Sequence, residues 1–100
     1  MKTLADFKRA LTVGSKWHAT SYDSRGNPMT LGCRSVAKIQ SNSVAFSRPD
    51  THALSWLQFP KASEFAIDEN GDVEIWWPAH NEPSFKTERK LAVRYKRIML

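Results

Sequence analysis

The stretch FAIDENGDVEIWW, residues 65–77, constrains this chain more than any other. Phe65 and Ile67 recur at a period of two before an Asn-Gly pair, and Val73, Ile75 and Trp77 do so after it. That is the period of a strand, whose successive side chains leave opposite faces. Asn-Gly between two such runs marks a hairpin. Loop length decides the register. A two-residue Asn70-Gly71 loop sets Ile67 opposite Glu74 and mixes the faces, whereas a Glu69-Asn70-Gly71 loop sets Ile67 opposite Val73 and Phe65 opposite Ile75. Keeping one side wholly apolar selects the longer loop, with Gly71 as the left-handed residue it needs. This register predicts that Trp77 joins the core. Trp76 turns to the other face with Glu74, near Glu64 across the ladder.

The remaining punctuation is mostly that of strands and turns. TLADFKRALTVG is the exception and predicts a helix: Thr3 is a candidate N-cap with Asp6 three residues on, and Leu4, Phe7 and Leu11 form a narrow apolar stripe. Gly14 suits its end. KWHATSY then runs into the turn cluster DSRGNP and the long strand MTLGCRSVAKIQ. A Ser41-Asn42 loop would set Ile39 opposite Val44 and Ala37 opposite Phe46. SRPDTH separates this hairpin from ALSWLQFP, and KASE reads as a short turn or a single helical turn. HNEPSF reads as a loop, with Pro83 interrupting any pairing. In KTERKLAVRYKRIML, Leu91, Val93 and Tyr95 alternate with cations as in a strand, while Leu91, Tyr95 and Ile98 fit a helical stripe; Val and Tyr favour the strand. The expectation is one domain, residues 1–100, of α+β class. Its N-terminal helix packs on a small antiparallel β barrel or roll, SH3-like, of about six strands.

Composition narrows the function classes. One cysteine, Cys33, allows no intrachain disulfide, and the start carries Asp6 and no continuous apolar run, so a cytoplasmic setting without a signal peptide is expected. No run approaches the length needed to cross a bilayer. The net charge of +5 is segregated: residues 1–61 carry +6, residues 62–85 carry −6, and residues 86–100 carry +5. Such segregation suits a polyanion or a charged protein surface.

Catalytic signatures are lacking. There is no P-loop, dinucleotide turn or GxSxG elbow, and the four glycines are scattered. His18, His52 and His80 lack the close ligand pairs of a structural zinc site, and Cys33 reads as packing rather than as half of a nucleophilic pair. The acidic stretch 64–74 lacks the calcium-loop pattern. No catalysis, cofactor or metal is expected. Two binding readings remain. In the first, Lys90, Arg94 and Lys96 on the last strand, with Arg34 and Lys38 on the long strand, contact nucleic acid, and Trp76 or Trp56 offers a stacking platform. In the second, an exposed Trp76 rimmed by Glu64 and Glu74 grips a basic protein surface.

LADFKRALTVGSKW and SWLQFPKASEF resemble segments of short accessory proteins carried by phages and other mobile elements. The resemblance implies a small helix paired with a β roll. It also implies a chain that binds and inhibits a host or defence protein. The apolar IML end, residues 98–100, could pair with a second copy, so a monomer or homodimer is expected.

Overall fold

A computed structural model describes residues 2–77, 80–82, 85–87 and 90–98, with backbone alone for 80–82 and 85–87. Helix α1 (Leu4–Ala10) opens on the expected cap. The Thr3 hydroxyl accepts the Asp6 N–H at 3.2 Å, and the Asp6 carboxylate accepts the Thr3 N–H at 3.1 Å. It ends sooner than Gly14: Leu11 closes it by donating to the Phe7 carbonyl, and Gly14, at φ 88°, turns the chain into the first strand.

Nine strands follow among the described residues: β1 (Lys16–Tyr22), β2 (Pro28–Ile39), β3 (Ser43–Ser47), β4 (Leu54–Gln58), β5 (Phe65–Ile67), β6 (Val73–Trp77), β7 (His80–Glu82), β8 (Phe85–Thr87) and β9 (Lys90–Ile98). A 3-10 turn, Ala62–Glu64, fills the KASE position. Seven strands form one curled antiparallel sheet in the order β4-β3-β2-β1-β9-β6-β5, so the last strand slots between β1 and β6. The α+β class with a helix against a small antiparallel sheet holds, and the tail is strand. Most of HNEPSF, expected as a loop, is instead strand: His80–Glu82 pairs with Phe85–Thr87 in a two-stranded ribbon, with Asn81 opposite Lys86. Pro83, the His80 side chain and the apolar end at Met99 and Leu100 lie outside the described residues.

The hairpin around Gly71 has the register its alternation demands, with Phe65 opposite Ile75 and Ile67 opposite Val73. Asp68 and Asp72 close the three-residue loop: the Asp68 N–H donates to the Asp72 carbonyl at 2.9 Å, and Gly71 takes φ 83°. Trp77, however, is not core; it is 46% exposed. The cause is where the neighbouring strands stop. β5 ends its pairing at Phe65 opposite Ile75, and on the other side the register with β9 shifts between Ile75 and Trp76. Trp77 therefore overshoots the apolar face. The β2–β3 hairpin needs a similar correction. Ile39 does face Val44, but a bulge at Ala37 pairs Phe46 with Val36 instead of Ala37. A third bulge, at Leu31, precedes Gly32 at φ 82°. Each bulge adds local twist, and together they help to curl the sheet.

The inner face carries the core. Trp17, Ala19, Val36, Val44, Phe46, Val73, Ile75 and Tyr95 bury against one another, and α1 adds Phe7 and Leu11. Phe7 is the junction: its ring meets Trp17 edge-on at 5.6 Å and lies 5.8 Å from Phe65 and 6.3 Å from Tyr95. Tyr95 stacks on Phe46 at 5.2 Å. Burial pushes the Tyr95 hydroxyl pKa up to about 12, with the Arg34 charge pulling the other way. In the unfolded chain a tyrosine ionises near pH 10, so above that the unfolded state binds fewer protons than the folded one. Stability from this group is full below about pH 10 and falls by up to about 3 kcal/mol as pH rises through about 12. Tyr95→Phe should remove that alkaline loss. Urea midpoints of both proteins at about pH 9 and about pH 11 check it; an unchanged difference between the two pH values would contradict the assignment.

Candidate functional site

Alternation along β1 sends Trp17 and Ala19 inward and Lys16, His18, Thr20 and Tyr22 to the outer face. Strand β9 lies beside it with Ile98 opposite Lys16, Lys96 opposite His18 and Arg94 opposite Thr20, so Arg94 and Lys96 share that face. On the far side of β9, Glu74 stands opposite Arg94, and Trp76 comes level with Leu91. The outer face of β1, β9 and β6 is thus a strip of cations that ends in aromatic and aliphatic side chains.

The acids on this strip are occupied. The Arg94 guanidinium donates to the Glu74 carboxylate at 2.6 Å and lies 3.7 Å from the Asp68 carboxylate. The two acidic side chains are only 13% and 12% exposed, against 35% for Arg94. Burial works against the Arg94 charge. The Glu74 hydrogen bond, together with Tyr22, Glu74 and Asp68, outweighs it and holds the pKa of the guanidinium above its usual value. Among the described residues, Lys16, Arg25, Lys38, Lys90 and Lys96 form no ion pair.

At the end of the strip is a cleft of about 330 Å³. Tyr22, Trp76 and Leu91 line it, and the β1–β2 turn, residues 23–26, closes one side. That turn is built by Asp23, whose carboxylate accepts the Arg25 and Asn27 backbone N–H groups, both at 2.9 Å. These donors, Asn27 foremost, lower the pKa of Asp23 below its ordinary value. Gly26 at φ 85° completes the turn. Lys90 reaches across from β9, its ammonium donating to the Ser24 carbonyl at 2.9 Å. Lys90 and Arg25 are both exposed at the cleft.

The residues singled out from sequence are divided by this geometry. Arg94 and Lys96 lie together on the strip and Lys90 guards the cleft. Arg34 and Lys38 do not share a face, because the bulge at Ala37 falls between them. Arg34 pairs with Trp17 on the inner face and donates to the Cys33 carbonyl at 3.0 Å, whereas Lys38 pairs with Ala45 on the outer face. Trp76 is half-buried in the cleft wall rather than a free platform. Glu64 accepts the Lys61 N–H at 2.9 Å, capping the 3-10 turn, and Glu74 is held by Arg94, so neither forms a free acidic rim. Trp56 is exposed on edge strand β4, opposite Ala45, away from the cleft. Cys33 is half-buried opposite His18, and His52 occupies the β3–β4 turn at φ 59°. Among the described residues no group of three or more His, Cys, Asp or Glu side chains could hold a metal ion. No helix among them is long and apolar enough to cross a membrane.

Tyr22, Arg25, Lys16, His18 and Leu91 belong to the site but were missed in the sequence. The signal for three of them was present: once Trp17 is core, period two places Lys16, His18 and Tyr22 outside. No protein-family model, curated protein or solved structure matches the chain.

Proposed function

We propose that this chain is a binding protein without chemistry of its own, and that it contacts nucleic acid through the outer face of β1 and β9. The observation that carries the reading is the balance of charge on that face: Arg94 offsets one of the two charges of Glu74 and Asp68, and Lys16 and Lys96, beside it with no ion pair among the described residues, bring the sum to +1. Acidic residues near Trp76 would otherwise repel phosphate, and Arg94, Lys16 and Lys96 together outweigh those two acids. Lys16, Lys96, Lys90 and Arg25 supply the phosphate contacts, with Lys38 at the margin. Arg94 acts as a positioning residue. Arg34 drops out because it belongs to the inner face.

The rival reading, inhibition of a host protein through Trp76, Glu64 and Glu74, has less support, since both acids already serve other groups. Anisotropy of a labelled oligonucleotide at several salt concentrations tests the first reading. With four or five phosphate contacts, log affinity should fall against log salt with a slope of about −3. Lys16→Ala and Lys96→Ala should each weaken binding to all sequences alike and make the slope shallower by about 0.7. Arg34→Ala should leave the slope unchanged. No binding at low salt rejects the reading.

A further inference from the structure

The cleft adds something that a basic strip alone does not: a place with aromatic walls. We infer that it seats one unstacked base of a single strand, against Tyr22 and Trp76, with Lys90 and Arg25 on the adjoining phosphate; this rests on the nucleic-acid reading above.

Three observations support it. The first is size. A volume of about 330 Å³ sits at the lower end of small-molecule sites, room for one nucleobase with part of its sugar and not for a base pair. The second is chemistry. Tyr22, Trp76 and Leu91 make the walls apolar, and base faces stack on such walls whatever their identity. Two acceptors at the mouth are already engaged. The Asp23 carboxylate serves the turn amides, and the Ser24 carbonyl accepts from Lys90. The Tyr22 and Ser24 hydroxyls and the Arg25 guanidinium remain at the mouth, while the walls themselves are stacking surfaces, so selectivity should follow chiefly stacking strength, with purines ahead of pyrimidines.

The third observation is placement. Tyr22 lies four residues along β1 from His18, which is level with Lys96. At about 3.3 Å per residue the cleft is about 13 Å from the Lys96 backbone, the span of about four nucleotides in a stacked strand. A base in the cleft and phosphates on Lys96 and Lys16 can therefore belong to one short oligonucleotide. A duplex keeps its bases stacked and paired, and cannot enter without breaking them.

An abasic scan with unaltered protein tests this without any risk of misfolding. A labelled hexanucleotide is compared with six versions in which each base in turn is removed. Loss of one base should lower affinity about 5- to 100-fold, and loss at positions away from it should matter little. The matching duplex should bind more weakly than the single strand, and adenosine monophosphate more weakly than the hexamer. Tyr22→Ala should flatten the scan while keeping the salt slope. A flat scan from a hexamer that binds with the expected slope overturns the base site and leaves the basic strip standing. So does a duplex that binds as tightly as the single strand. Mononucleotide binding as tight as the hexamer assigns the cleft to free nucleotides and overturns the strand assignment. Failure of every oligonucleotide to bind at low salt removes both readings.

Discussion

Phe7→Ala should destabilise the protein by about 3–5 kcal/mol, the range for removing a fully buried aromatic ring. The ring is wholly buried and touches Trp17 of β1, with Phe65 of β5 and Tyr95 of β9 close by. Its loss opens a cavity where helix and sheet meet. Helix α1 has seven residues, too few to persist in water without packing, so the variant should lose helical signal before the sheet melts. Against a total stability of about 5–15 kcal/mol for a single domain, this is a large share. Urea unfolding followed by both tryptophan fluorescence and far-ultraviolet circular dichroism measures it. A loss below about 1 kcal/mol would mean that the ring is not the junction described.

Arg94→Leu should be the most damaging single change on the outer face. It leaves two almost buried carboxylates without their guanidinium, Asp68 with only its Asn70 and Asp72 loop amides and Glu74 without the Arg94 hydrogen bond. Breaking a fully buried pair costs about 3–5 kcal/mol, and the partial exposure of Arg94 reduces this to about 2–4 kcal/mol. Adding Glu74→Leu should return part of the loss, since one of the stranded charges then disappears. The pairing also shapes the field of the strip. Where the single variant remains folded, it should bind oligonucleotide more weakly than Lys96→Ala does, because it uncovers acid as well as removing a cation. Chemical denaturation and anisotropy on the two single variants and the double variant separate these effects. Equal affinities for Arg94→Leu and Lys96→Ala would contradict the neutralising role.

Much of this architecture could be read from local patterns. The register around Glu69-Asn70-Gly71 followed from one requirement, that Phe65, Ile67, Val73 and Ile75 share a face, and pairing bears it out. The Thr3 cap and the stripe through Phe7 and Leu11 were similarly local. The failures share a cause. A bulge shifts parity, and nothing in VAK, residues 36–38, announces that Ala37 is the surplus residue; that one shift separates Arg34 from Lys38. Trp77 has the right parity for the core and the wrong position along its strand, because burial also requires neighbours that extend as far. The Arg94 pairing with Glu74 joins residues twenty apart through the insertion of β9 beside β6, a topological fact invisible to periodicity. The cleft is harder still, since it assembles from the end of β1 and its turn together with β6 and β9, which are remote from them in sequence.

A nuclear magnetic resonance titration with a single-stranded hexanucleotide at low salt examines the central proposal most directly. Shifts should be confined to Lys16–Tyr22, the turn at residues 23–26, Lys90–Ile98 and the Trp76 indole N–H, and should fade as salt rises. Shifts centred on Leu4–Ala10 or on the β3–β4 edge, or an unchanged spectrum at the lowest salt, would contradict it.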